Sequence, residues 1–151
     1  MKTIKEELID FKRLQFYESD FWIWQIHENQ SYLGRIILML KRDLDLSCAF
    51  CTDQEWLSLK SNFALYEEFL NSVFRPDRYN YGQLGNIFPQ LHFHIVPRYK
   101  SNRSWNSIEF QDLKWGRNWS PSPKSPITVE DTYNFSSWLK EKFKHYLVKQ
   151  K

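Results

Sequence analysis

Apolar positions along this 151-residue chain follow two helical rhythms and several strand-like ones. Trp56, Leu59, Phe63, Tyr66, Leu70 and Val73 are spaced by alternating threes and fours. That spacing keeps one face of a helix apolar for about six turns. Thr52-x-x-Glu55 precedes it as a capping box, and Pro76 stops it. A second helix is expected after Thr128-x-x-Asp131, with Phe135, Leu139, Phe143 and Tyr146 inward. At the other end, Thr3-x-x-Glu6 is a further capping box. Ile4, Leu8, Phe11 and Leu14 then mark one face of an N-terminal helix.

Between these helices the period drops to two. Phe21 to His27 alternates loosely and is rich in aromatic and β-branched residues, as a strand requires. Glu28 to Gly34 turns the chain, and Ile36 to Leu40 is a buried strand. Trp105 to Trp119 is irregular or holds a short strand. Ser120 to Pro126, Ser-Pro-Ser-Pro-Lys-Ser-Pro, is an extended connector into the last helix. Strands joined by one long helix, without βα alternation, predict an α+β fold with a mainly antiparallel sheet. One domain spans 1–151, with an N-terminal helix in 1–20, a core over 21–119, and the connector and C-terminal helix in 120–151.

The chemistry concentrates in Gln90-Leu-His-Phe-His-Ile-Val96, followed by Pro97-Arg98. Leu91, Phe93 and Ile95 alternate as the buried side of a strand, so Gln90, His92 and His94 share the other face. At a rise of about 3.3 Å per residue, neighbours on that face lie roughly 6.5–7 Å apart, close enough for all three to touch one phosphate. The same pair would also serve as half of a zinc site or as ordinary surface histidines. Arg98 either adds positive potential there or is a solvated charge at the strand end.

With its flanks, the stretch Asn80 to Tyr99 resembles the histidine-triad family of nucleotide-binding hydrolases and transferases. The family signature is His-φ-His-φ-His-φ-φ, φ being apolar, with a Gly-Gln or Gly-Asn pair a few residues upstream. Here Gly85-Asn86 supplies the pair, and His92 and His94 match the second and third histidines. Gln90 replaces the first, as in a branch reading Pro-Gln-Leu-His-x-His. The likeness extends over Phe21 to Trp119: Gly34-Arg35 before the strand Ile36 to Leu40, then Lys41-Arg42, and Phe110-Gln-Asp-Leu-Lys-Trp-Gly116. All four glycines lie in these matching segments. Arg35, Asp43 and Ile87 depart from the pattern; many members carry histidine at the first two and a polar residue at the third.

The resemblance implies a five-stranded antiparallel sheet with the long helix packed on it, usually in a homodimer. It implies His92 as nucleophile at a nucleoside α-phosphate, forming a nucleotidyl-histidine that water resolves, with a backbone carbonyl orienting the ring. His94 would donate to a phosphate oxygen or the leaving group, and Gln90 would offer its amide to the phosphate. Asn80 and Asn86 would hold phosphate oxygens or order the loop. His27, eight residues before Arg35, would stand at the ribose position. A purine nucleotide is the implied substrate, as a dinucleoside polyphosphate or a nucleoside phosphoramidate. Two alternatives are a nucleotide-binding protein with little turnover and a zinc-binding module built on the His-x-His pair.

Composition narrows the rest. Twenty-one basic against 18 acidic residues is too mild an excess to argue for a nucleic-acid surface. The start lacks the apolar core of a signal peptide, and no run approaches a membrane span, so a soluble cytoplasmic protein is expected. Cys48-Ala-Phe-Cys51 is expected to be two reduced structural cysteines rather than a redox or metal site. No cofactor or metal is implied. Seven tryptophans, eight tyrosines and twelve phenylalanines suggest a core of large rings with some left over for a subunit interface or a base pocket. His145 is expected on the surface.

Overall fold

The computed structural model describes residues 9–42, 45 and 47–151. Strands β1 (Gln15–Glu18), β2 (Trp22–Ile26) and β3 (Ile36–Leu40) precede helix α1 (Asp53–Val73). Strands β4 (Arg78–Gly82), β5 (His92–Arg98), β6 (Arg103–Trp105) and β7 (Ile108–Phe110) follow, and then helix α2 (Val129–Lys149). The main sheet runs β1-β2-β3-β5-β4, every pair antiparallel, and β6 and β7 form a separate hairpin. The fold is α+β.

Register decides what each face of the sheet does. Trp24 lies opposite Leu38, and Leu38 opposite Phe93. Ile26, Ile36 and Ile95 form the next such row. This face is aromatic and aliphatic and takes both helices. The Trp24 ring meets Tyr66 of α1 at 5.4 Å and Phe143 of α2 at 5.1 Å. The opposite face carries Gln25, Ile37, Met39, His92 and His94, which pair across the strands one residue out of step.

Helix α1 starts at the Thr52 cap, whose hydroxyl accepts from the Glu55 N–H while the Glu55 carboxylate accepts from the Thr52 N–H. Leu59, Tyr66 and Leu70 are buried as the spacing predicts, but Trp56 stays 41% exposed. Phe69 and the polar Asn62 are buried instead. The sheet's tryptophans explain the polar intrusion: the Trp24 indole N–H donates to Asn62 Oδ1 at 2.5 Å, and that of Trp22 to the Glu55 carbonyl at 3.3 Å. Burying an indole costs free energy unless its N–H finds an acceptor. Helix α2 is capped by Thr128 and buries Phe135, Leu139 and Phe143, as expected.

The N-terminal helix expected through residue 20 needs correction. Ile4 and Leu8 lie outside the described residues, but Phe11–Leu14 is a single 3-10 turn and Gln15–Glu18 is edge strand β1. Asp10 caps that turn by accepting from the Lys12 N–H. Phe16 is then drawn into the ring cluster of Trp24, Tyr66 and Phe143. Tertiary packing here overrides a local helical rhythm of only a few residues.

Arg98, expected at a solvated strand end or near the site, is only 3% exposed and does neither. Its guanidinium donates to both Asp112 carboxylate oxygens (2.7 and 3.1 Å), to Asn80 Oδ1 (2.7 Å), and to the Arg117 and Lys114 carbonyls (2.9 and 2.6 Å). Asp112 also accepts from the Tyr99 and Lys114 N–H groups. This buried pair clamps the segment 111–119 against β5. Downstream, the chain crosses the β2–β3 loop: Tyr32 donates to the Trp119 carbonyl (2.8 Å), Asn29 to the Pro123 carbonyl (2.8 Å), and the Gln30 N–H to Ser125 Oγ (3.2 Å). The Pro/Ser connector is thus a strap over the sheet's polar face.

Removing one partner of a buried ion pair leaves the other charge uncompensated, at a cost of about 3–5 kcal/mol. Arg98→Met is therefore expected to lower the unfolding free energy by about that much, measured by urea denaturation. A loss under about 1 kcal/mol, the value of an exposed pair, would contradict the clamp.

Candidate active site

A cavity of about 640 Å3 opens on the sheet face away from the helices. Ile37 and Met39 line it from the sheet, with the amides of Gln15 and Gln25 beside them. Phe11, Leu84, Ile87 and Phe88 add apolar walls, and His27, His92 and His94 line its polar side. Gln25 is 4% exposed and makes no side-chain hydrogen bond among the described residues.

The three imidazoles form a row, with ring centres 5.5 Å apart between His27 and His94 and 5.1 Å between His94 and His92. Each has one nitrogen committed, and the partner fixes the proton. His92 Nδ1 lies 2.8 Å from the Gln90 carbonyl, which can only accept, so Nδ1 carries the proton and Nε2 keeps a free lone pair. His94 Nδ1 lies 3.3 Å from Nη2 of Arg35, which can only donate. The neutral His94 ring is therefore an Nε2–H donor. His27 Nδ1 accepts from the Asn29 N–H at 3.0 Å, leaving Nε2–H as its remaining polar group. The row offers one nucleophilic nitrogen and two N–H donors.

Burial and charge hold two of these rings neutral. His27 is pushed down from 6.5 to about 2, first by desolvation and then by the charge of Arg35. His94 falls to about 3, again by desolvation first, then by Arg35. Arg35 itself is 4% exposed with no carboxylate within 4 Å among the described residues. Desolvation lowers it to about 10, so it stays a cation. Ser122 Oγ of the strap accepts from its Nη1 at 2.8 Å, and the Trp119 ring lies 4.9 Å from its guanidinium carbon.

Of the residues singled out in sequence, His92, His94, His27 and Asn86 all line this cavity. Gln90 and Asn80 do not. Strand β5 begins only at His92, and the Gln90 amide turns away to donate to the Leu40 carbonyl at 2.6 Å. What Gln90 supplies is its main-chain carbonyl under His92. Asn80 is taken by Arg98. Sequence reasoning missed Gln25, Arg35 as a working residue, and the strap residues Trp119 and Ser122. Alternation along β2 carried the signal for Gln25, since it sits out of phase with Trp24 and Ile26. Nothing local announced the strap, which meets the site across 87 residues of sequence.

Trp119 closes one side of the row, its ring centre 5.5 Å from that of His94. Gly82 makes room for it. Gly82 pairs with His94 across the strands, and a Cβ there would meet Trp119 Cζ2 at 2.8 Å. A zinc ion would find a free lone pair at Nε2 of His92, but at His94 it would meet a protonated Nε2, because Arg35 donates to Nδ1 and adds its own positive charge. Among the described residues, no three His, Cys, Asp or Glu side chains are grouped to hold a metal. Cys48 and Cys51 are free thiols packed partly against the core, away from the cavity lining.

No protein-family model matches the sequence, and no curated protein sequence matches it either. Solved structures do. A histidine triad protein of Marinobacter aquaeolei superposes with a TM-score of 0.64 at 19% identity, over 91% of this chain and 98% of that one. A histidine triad protein of Bradyrhizobium japonicum gives 0.63 at 19% identity, over 85% and 89%. The diadenosine triphosphate hydrolase of Plasmodium falciparum gives 0.59 at 15% identity, over 96% and 90%. The chain has the histidine-triad fold.

The depressed histidines make stability depend on pH. As pH falls below 6.5 the unfolded chain takes up protons that His27 and His94 refuse, so their stabilising contribution is full above that value. It is lost progressively toward pH 3 and below. Each ring contributes a slope of up to about 1.4 kcal/mol per pH unit. Urea midpoints of the wild type should fall more steeply between about pH 7 and pH 5 than those of a His27→Gln, His94→Gln double variant. Parallel slopes would mean the rings titrate normally.

Proposed function

We propose that this chain is a member of the histidine-triad family that transfers a nucleotidyl group through His92, as a nucleotide hydrolase or nucleotidyl transferase. The observation that supports the reading is the row of three rings, each with its tautomer fixed, ending in one unprotonated Nε2. Beside it lies an apolar slot of Ile37, Met39, Leu84 and Phe88, suited to a flat heterocycle. A ligand with a base in the slot and a phosphate on the row would satisfy both halves of the cavity. Arg35, behind His94, adds a positive charge with no carboxylate within 4 Å among the described residues.

In the proposed reaction His92 Nε2 attacks the α-phosphorus, a P–N bond forms, and the bond to the leaving group breaks. The Gln90 carbonyl supports the positive charge that develops on the ring by accepting from Nδ1–H. Water then attacks the nucleotidyl-histidine, the P–N bond breaks, and a nucleoside monophosphate and a proton are released. His94 donates its Nε2–H to a phosphate oxygen or to the leaving-group oxygen, and His27, next in the row, offers its Nε2–H to the ribose or the phosphate. Asn86, at the exposed rim, is proposed to contact the phosphate or its loop. The diadenosine triphosphate hydrolase among the structural neighbours fits this substrate class. A second reading, nucleotide binding with little turnover, is favoured by one observation: the Gln90 side chain is turned away, leaving the first triad position without a side-chain donor.

A twofold dimer is part of the proposal. Trp56, Leu57 and Tyr81 are exposed along α1 and edge strand β4, and Phe63 links them by touching Tyr81 and Phe93. An exposed edge with apolar side chains needs a partner, and closed twofold pairing is the commonest one. Light scattering at micromolar concentration should give twice the 18.5 kDa chain mass; a monomer there would remove the dimer.

His92→Ala should keep the fold and much of the ground-state affinity while losing turnover by several orders of magnitude. Acid-quenched wild-type enzyme should carry one nucleotidyl group on His92 by mass spectrometry. A His92→Ala variant at near wild-type rate would exclude the mechanism, and tight nucleotide binding with no adduct in the wild type would favour the binding reading.

A further inference from the structure

The open point in that reaction is the leaving group, because an oxygen anion and an amine make opposite demands on the residue beside them. A phosphate leaves as an anion and needs positive potential and hydrogen bonds. An amine cannot leave a phosphorus–nitrogen bond as its anion and must take up a proton as the bond breaks. The group placed to meet the leaving atom is His94, next to His92 in the row. Whether it can transfer a proton depends on whether it can carry one.

Four charged or titratable groups bear on that ring. Arg35, at the start of β3, lies 3.3 Å from Nδ1. His92 on the same strand and His27 after β2 flank it at 5.1 and 5.5 Å between ring centres. Glu28 lines the cavity farther out, 3.9 Å from Nδ1 of His27. Trp119 covers a remaining side. To become an imidazolium, His94 would have to place a proton on Nδ1 facing the guanidinium, and Arg35 cannot swing clear. Ser122 holds its other terminal nitrogen, Trp119 lies against it, and it is buried. The same guanidinium brings positive charge to the leaving-group side with no carboxylate within 4 Å to cancel it among the described residues.

We infer that Arg35 is a positioning residue that locks His94 as a neutral Nε2–H donor and so restricts the site to leaving groups that depart as oxygen anions, phosphoric anhydrides rather than phosphoramidates. The inference rests on the nucleotidyl-transfer reading of His92. In the anhydride reaction the P–N bond to His92 forms and the Pα–O bond breaks. The electron pair stays on the departing phosphate oxygen, which accepts a hydrogen bond from His94 Nε2–H, and no proton changes hands at His94. The low proton affinity of the buried ring agrees with this.

Two measurements test it. Nitrogen-15 NMR of histidine-labelled wild-type protein should show His94 as the Nε2–H tautomer, with no titration between about pH 5 and pH 8. In Arg35→Met its titration should move up toward the ordinary range. Kinetics with diadenosine triphosphate and adenosine 5′-phosphoramidate should show the wild type preferring the anhydride by about a hundredfold or more in kcat/KM. Arg35→Met should narrow that ratio by about tenfold near pH 6, mostly through kcat. Arg35→Lys, which keeps the charge without the fork, should keep His94 neutral while lowering the anhydride rate. The wild-type spectrum needs no variant to fold. A wild-type His94 that titrates near its ordinary value, or a phosphoramidate cleaved as fast as the anhydride, overturns the inference. Cleavage of neither substrate, with His94 behaving as described, overturns the nucleotidyl-transfer reading and takes the leaving-group preference with it.

Discussion

The buried pair of Arg98 and Asp112 is the interaction on which the rest of the site depends. Their side chains are 4% and 0% exposed, and every donor of the guanidinium fork meets an acceptor. Such a pair is tolerable in the interior only when its hydrogen bonds are complete. A lysine, with one nitrogen, cannot reach the same acceptors. By fixing 111–119 against β5, the pair sets where Trp119 comes down on the sheet. Trp119, Tyr32 and Val96 then form a small second core, which places Ser122 over Arg35. Arg35 in turn fixes the proton on His94. A structural ion pair thus governs the proton position on a ring it never touches.

The two faces of the sheet show a division of labour imposed by the strand period. Trp22, Trp24, Leu38 and Phe93 face the helices and join the main hydrophobic core, whose burial stabilises the fold. The residues between them face the cavity and carry the polar groups. Because the faces alternate residue by residue, the reactive row stands directly on the back of the core. That backing supports the rings from below, while Arg35 and Trp119 close on His94 from beside it. Neutrality is the electrostatic counterpart: burial denies a second proton to His27 and His94, and the cation set against His94 is Arg35, which keeps its own proton at neutral pH.

Much of this was legible in the sequence where one local rule acted alone. The 3-4 spacing of Leu59, Tyr66 and Leu70, the caps at Thr52 and Thr128, and the alternation around His92 and His94 each specify an element. The failures fall where a distant partner decides. Phe16 is drawn from a helical rhythm into a strand by Trp24 and Phe143. Gln90 lies two residues before the first residue of the strand, so its amide finds the Leu40 carbonyl instead. Asn80 fits a phosphate role by position, but the Arg98 fork needs its oxygen. Arg35 was visible only as a departure from a pattern, because its two partners lie 59 and 87 residues away.

The Gly82–Trp119 contact also sets the direction of approach. With a Cβ excluded at Gly82 and the indole seated against His94, the β4 side of the row is sealed by groups that belong to the core. Entry from the β4 side is therefore closed. Elsewhere on the rim, Asn86, Ile87 and Phe88 are all exposed, with Ile87 wholly so. A molecule arriving past this rim meets Phe88 and the free nitrogen of His92 before it reaches His94 and the charge behind it. The order in which its parts come to rest is written into the geography of the pocket.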